Sequence, residues 1–193
     1  MYDVFFSKFN EKVQLSESEE YAVKQFLTPK KLRKRQYLLQ EGDICKTVAF
    51  IEKGAMRSYI VDSDGQEHIF SFALEGWAIG DLSSFLTEQI STQNIDALED
   101  CELVLISKYA HDQMLISVPK YATFFRILMT EAYIALQKRT LSIISMSLDD
   151  RYKSFIDQYP DIVQRVPQHM IASHMGLSPE TLSRIRSRIG KSQ

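Results

Sequence analysis

The stretch that decides the fold is QHMIASHMGLSPETLSRIRS, residues 168–187. It fits a helix-turn-helix begun at Gln168. Ala172 falls at the fifth position, where two helices cross closely and a larger side chain would force them apart. Gly176 falls at the ninth, where the chain must turn with positive φ after the first helix. Ile171, Met175, Leu177, Leu182 and Ile185 take the positions that form such a motif's small core. Ser178 then reads as an N-cap and Pro179 as the first helical residue, where a missing N–H costs nothing.

Unrolling the second helix at 100° per residue gathers Glu180, Ser183, Arg184, Ser187 and Arg188 on one polar face. Leu182, Ile185 and Ile189 share the opposite face. A polar face of this kind suits the major groove of double-stranded DNA. Arg184 can pair with O6 and N7 of guanine, and Glu180 can accept from the amino group of cytosine. Ser183 can touch a base edge or a thymine methyl. Arg186 and Arg188 are placed for phosphates, and Ser178 stands at the helix start. On the first helix, His169 and His174 read as surface positions or phosphate contacts.

Charge agrees with that placement. The net charge is −2 over 193 residues, but residues 151–193 carry seven Lys and Arg against three acids, a balance of +4 on a body of −6. A basic end on an acidic body suits a nucleic-acid module carried by another domain.

Upstream of that end, residues 119–146 hold no glycine and read as one long helix. Leu128, Ala132, Ala135, Arg139, Ser142 and Met146 follow a heptad-like stripe, while Phe125, Met129, Tyr133, Leu136 and Ile143 form a second face. A helix apolar on two sides must be covered twice. One face is assigned to the preceding domain and the other to a second copy of the chain, giving a homodimer. Ser147 then caps a short helix running to about Gln158 and stopping before Pro160.

The first 27 residues look helical, and Ser16 with Glu19 forms a capping-box pattern. From about residue 32 the period shortens. The segments YLLQ, TVAFIEKG, MRSYIVDSDG, EHIFSFALEG and CELVLIS are short and rich in β-branched and aromatic residues, with turns at EGD (41–43), EKG (52–54), DSDG (62–65), EG (75–76) and IGD (79–81). Closely spaced strands with glycine turns predict a small antiparallel β-roll. The Asp64-Gly65 pair predicts a tight hairpin with positive φ at both central positions. The fold class is therefore α+β: a β-roll with N-terminal helices over 1–117, a dimerisation helix over 118–147 and a helix-turn-helix domain over 148–193.

Other classes are disfavoured. No run of eighteen apolar residues provides a membrane span, and the start MYDVFFSKFNEKV lacks a secretory pattern. Two isolated cysteines, Cys45 and Cys101, point to a reducing cytoplasmic compartment. A metal-dependent roll enzyme would need clustered ligands, whereas His68 and His111 stand alone. A sensor acting through protein contacts would use the same C-terminal helices without DNA's steep salt dependence.

The order of helices, glycine-punctuated roll, long helix and helix-turn-helix resembles the Crp/Fnr family of bacterial regulators. The resemblance rests on LLQEGD (38–43), FIEKGAMRSYIVDSDGQE (50–67), IGDLSSF (79–85) and SPETLSR (178–184), the last being similar to the family's S-R-E-T-V/M-G/S-R recognition helix. It implies a dimer on a near-palindromic site, base-reading roles for Glu180, Ser183 and Arg184, and RNA polymerase as a further partner. Pro179 replaces an arginine that contacts DNA in cyclic-AMP-responsive members, so site preference should differ. The family's cyclic-nucleotide cassette begins Gly-Glu and ends Arg-Ser. Here Gly80-Asp81 matches the beginning, but Ile90-Ser91-Thr92-Gln93 lacks the arginine that pairs with the cyclic phosphate. Gly80, Asp81, Leu82, Ser91 and Thr92 thus outline an effector pocket for an unidentified small molecule, with cyclic AMP disfavoured. No cofactor is implied, because the cysteine cluster of oxygen-sensing members is missing. Only Gly190-Lys-Ser-Gln193 follows the recognition helix and residues 160–166 are short for a hairpin, so a truncated wing is expected.

Overall fold

A computed structural model describes residues 2–190 of the chain. Helices α1 (Asp3–Lys12) and α2 (Glu17–Lys24) open the fold. The capping box forms as read: Ser16 Oγ accepts from the Glu19 N–H, and Glu19 Oε2 accepts from the Ser16 N–H at 2.7 Å. Helix α1 buries Phe5, Phe6 and Phe9. Phe9 stacks on Phe124 at 4.1 Å, and Phe5 meets Phe50 edge-on at 4.9 Å. Glu52 accepts from the first free N–H groups of α1, at Val4 and Phe5, where a carboxylate also suits the helix dipole.

The roll contains β1 (Leu27–Leu32), β2 (Tyr37–Leu39), β3 (Thr47–Lys53), β4 (Met56–Val61), β5 (Glu67–Ala73), β6 (Ala78–Ile79), helix α3 (Leu82–Thr87), β7 (Asn94–Ala97) and β8 (Cys101–Ser107). Two four-stranded antiparallel sheets, ordered β1-β8-β3-β6 and β2-β7-β4-β5, enclose Ile51, Met56, Phe85, Ile95 and Leu103. Strand structure begins at Leu27, earlier than the sequence suggests. Pro29, Lys30 and Lys31 disguise β1, an edge strand whose outer positions tolerate proline and lysine. The hairpin at 62–66 is also looser than a two-residue turn. Gly65 has φ +80°, whereas Asp64 is not among the positive-φ residues. Instead Asp62 Oδ1 accepts from the N–H groups of Asp64 and Gln66, so a side chain organises the loop.

Helix resumes at Lys108 rather than after Ser117. Helices α4 (Lys108–Ser117) and α5 (Pro119–Ser145) are followed by α6 (Leu148–Gln158), α7 (Pro160–Arg165), α8 (Gln168–His174) and α9 (Pro179–Gly190). Ser147 caps α6 by accepting from the Asp150 N–H, as expected. Residues 160–165, within the stretch read as too short for a hairpin, form a helix with Pro160 at its first position. The predicted lack of a wing turns partly on residues 191–193, which lie outside the described residues.

Helix α5 changes role along its length. Its first turns bury Tyr121 and Phe124, with Phe125 and Leu128 packed beside them. Farther along, Tyr133, Leu136, Ile143 and Ile144 are 51–76% exposed. Arg139 and Ser142 of the heptad-like stripe are half-buried, and Arg139 turns inward to the roll and α8.

Candidate nucleic-acid interface

Helices α8 and α9 assemble around the core the sequence named. Ile171, Ala172, Met175, Leu182 and Ile185 are buried with Tyr152 and Phe155 of α6, and Leu177 packs at the margin. Gly176 turns the chain at φ +70°, and the Leu177 N–H returns to the Ala172 carbonyl at 2.9 Å. Ser178 Oγ accepts from the Thr181 N–H at 3.2 Å, and Pro179 begins α9.

The buried stripe of α9 leaves its polar face outward. Glu180, Ser183, Arg184, Arg186, Ser187 and Arg188 are all exposed, as are Ser178 and His169. The carboxyl of Glu180 is held below its ordinary range by its own backbone N–H and then by Ser178, which keeps it an ionised acceptor. Arg188 pairs with Asp149 of α6, Nε donating to Oδ2 at 3.1 Å. His174 departs from its reading as a surface position. It packs against Phe72 and Phe155, and its Nδ1 is buried. Burial, and then the Arg139 charge, push its pKa down to about 4.

Long-range contacts fix this module to the roll, and local sequence patterns gave no sign of them. Ala55, Tyr59, Ile69, Phe72 and Leu74 share one apolar cluster with the buried residues of α6–α9. Ser173 Oγ donates to the Glu67 carbonyl and accepts from the Ile69 N–H, both at 3.0 Å. Arg165 of α7 makes paired contacts with Glu75 and Glu99. These carboxylates, Glu99 first, raise the arginine's pKa.

The candidate effector residues divide. Asp81 caps α3 by accepting from the Ser84 N–H at 3.2 Å, and its other oxygen accepts from Ser91 Oγ at 2.7 Å. Both residues are buried, whereas Leu82 and Thr92 are exposed. A Cβ on Gly80 would lie 3.2 Å from Val48 Cγ2, so the backbones approach closely there. The buried cation of the roll is Arg57, which alternates with the inward Met56. It donates to Asp96 and Glu67 and lies 4.2 Å from the Tyr59 ring centroid. A cavity of about 300 Å³ opens beside the cassette, between Leu38, Leu39, Ile95 and the segment Asp43–Thr47, whose Asp43 carbonyl accepts from the Ser91 N–H. None of the five candidate residues lines it.

The family model of the cyclic nucleotide-binding domain matches residues 29–117. A transcriptional regulatory protein, btr, of Bordetella pertussis is 27% identical over 168 residues, covering 80% of this chain and 67% of its own. The fumarate and nitrate reduction regulatory protein of Vibrio cholerae is 26% identical over 191 residues, covering 93% and 76% respectively. The chain is similar to regulators of the Crp/Fnr type over most of its length. The chain also shares its fold with FixK2 from Bradyrhizobium japonicum, at TM-score 0.71 and 20% identity over 86% of this chain and 85% of that one. It spans roughly two thirds to three quarters of the length of the curated relatives.

Proposed function

We propose that the protein is a sequence-specific, DNA-binding transcription regulator that acts as a homodimer on a near-palindromic site. The observation that carries this reading is the outward polar face of α9 over the buried helix-turn-helix core of Ile171, Ala172, Met175, Leu182 and Ile185. Glu180, Ser183 and Arg184 read bases; Arg186, Ser187, Arg188, Ser178 and His169 contact phosphates or flank the reading face. The exposed apolar half of α5 meets its counterpart in the second copy. The protein works in the cytoplasm, with RNA polymerase as a further partner, and carries out no catalysis.

Cyclic AMP is not its signal. In the cassette the Asp81 carboxylate is already engaged by Ser91, and Arg57 is held by Asp96 and Glu67 on the other side of β4. A phosphate entering there would meet the buried Asp81 anion, with Ile90-Ser91 where the family supplies its arginine. A second reading, a regulator gated by another small ligand, is favoured by the 300 Å³ cavity, a size that accommodates a small organic molecule.

Selection of random duplexes by the purified protein tests the main reading. An enriched palindrome is expected, and Arg184→Ala should weaken its binding by about 1–3 kcal/mol while the dimer persists. Binding that ignores both Arg184 and salt concentration would favour a sensor acting through protein contacts instead.

A further inference from the structure

Strand β5 forms an open edge of its sheet, so one side of its backbone has no strand partner. Its register against β4 also skips at Phe70: Ser58 opposes Ser71, and the next residue, Tyr59, opposes Ile69. The bulged Phe70 carbonyl therefore needs a partner from outside the sheet. So does the carbonyl of His174, which lies at the end of α8, where helical carbonyls lose their intrahelical donors. One side chain meets both needs. Arg139 Nη1 donates to the Phe70 carbonyl at 2.8 Å, and Nη2 donates to the His174 carbonyl at 2.9 Å. A guanidinium is planar with a rigid fork of donors, so it holds two carbonyls at a fixed separation.

Arg139 comes from α5, the helix that carries the proposed dimer contact. It thus ties three elements together: the dimer helix, the edge of the roll and the first helix of the DNA-reading module. Ser173, next to His174, clasps β5 at Glu67 and Ile69. Docking leaves the polar face of α9 open to solvent, so the docked arrangement is one that can meet DNA.

We propose that Arg139 is a positioning residue for DNA recognition: by joining α5, β5 and α8 it fixes each reading helix relative to the dimer axis and so sets the accepted half-site spacing. The inference rests on the DNA-binding reading above. Two half-sites are engaged together at full advantage only when the two modules are held at the separation the duplex presents. Freeing α8 from α5 and β5 would leave the reading surface intact but lose that fixed separation.

The test compares three duplexes: the selected palindrome, a single half-site, and palindromes with one or two base pairs added to or removed from the spacer. In the wild type, the selected spacing should be strongly preferred. Arg139→Gln should lower affinity for the palindrome by about tenfold, leave single half-site affinity unchanged and flatten the spacing preference. Ser173→Ala, which opens the second clasp without altering α5, should shift the same preference in the same direction. Retention of the wild-type spacing preference by both variants would overturn the proposal. An equal fall in half-site and palindrome affinity would overturn it as well, since that marks damage to the module itself. Failure of the underlying reading shows differently: wild-type binding would then be unaffected by Arg184→Ala.

Discussion

Ser91 Oγ donates to Asp81 Oδ2 at 2.7 Å, joining the two ends of the cassette that would otherwise grip a cyclic nucleotide. Ser91 Oγ also accepts from the Gln93 N–H, and its backbone exchanges hydrogen bonds with Gly42 and Asp43. The Asp81 and Ser91 side chains are thus satisfied by each other and by neighbouring backbone N–H groups. Saturating cyclic AMP should therefore leave the melting temperature unchanged in a thermal-shift assay. A ligand present at a hundred times its Kd would add about 2.7 kcal/mol, or roughly 5–10 °C for a chain of this size. A rise of that order would refute the closed cassette.

Two glycines should respond differently to alanine. Gly176 has φ +70° with no atom within 4 Å of a built Cβ, so Gly176→Ala meets only backbone strain, about 1 kcal/mol. Gly54 has φ +102°, and its Cβ would lie 2.6 Å from Cys101 Sγ and 2.8 Å from the Asp100 carbonyl. There β8 must shift, adding roughly 1–3 kcal/mol to the strain. Urea titration should rank Gly54→Ala as the more damaging. The reverse order would mean that β8 yields easily.

Legibility in the sequence followed the distance between interacting residues. Ala172, Gly176, Ser178 and Pro179 act on near neighbours, so spacing alone placed α8, the turn and α9. Strands β3, β4, β5 and β8 announced themselves by apolar runs between glycine turns. Strand β1 did not, because an edge strand can hold Pro29 and two lysines on its outer positions. Helix α7 was obscured because six residues are too few to show a period. The joint between module and roll was hidden for a different reason. Ser173 is 106 positions from Glu67, and Arg139 is 69 from Phe70. Both roll partners are backbone carbonyls, which every residue possesses, so no side-chain pattern marks them.

The apolar half of α5 yields a prediction about assembly. Leu136 is 51% exposed and Ile143 53% exposed in the single chain. Replacing both by glutamate removes little from the protomer's own core but places charges in the proposed seam. Sedimentation velocity should show a dimer for the wild type and a monomer for the double variant, with the monomer still folded. Binding to the palindrome should fall to the half-site level. A double variant that remains dimeric would move the interface away from this face.

His174 makes the docked module sensitive to acid. Phe72 of β5 and Phe155 of α6 pack against its ring, and the charges facing it are Arg139 from α5 and Arg151 from α6, both cationic. Burial first, and these cations after it, push its pKa down to about 4 from the ordinary 6.5. Between these values the unfolded chain binds the proton more readily than the folded one, so stability falls as pH drops through that window. The loss is complete below about pH 4 and is on the order of 3 kcal/mol. The salt-bridged carboxylates Asp149 and Glu75 have lowered pKa values, so their contributions are lost only as pH falls below their ordinary values near 4. His111 is also lowered by burial, so its contribution too is lost as pH falls below the ordinary 6.5. Comparison with His174→Gln therefore isolates the His174 contribution. Urea titrations from pH 7 to 4.5 should show a shallower loss of stability for the variant than for the wild type. Parallel curves would place the acid sensitivity at His111, in the contact between α4 and α5, rather than at the joint that holds the reading helices.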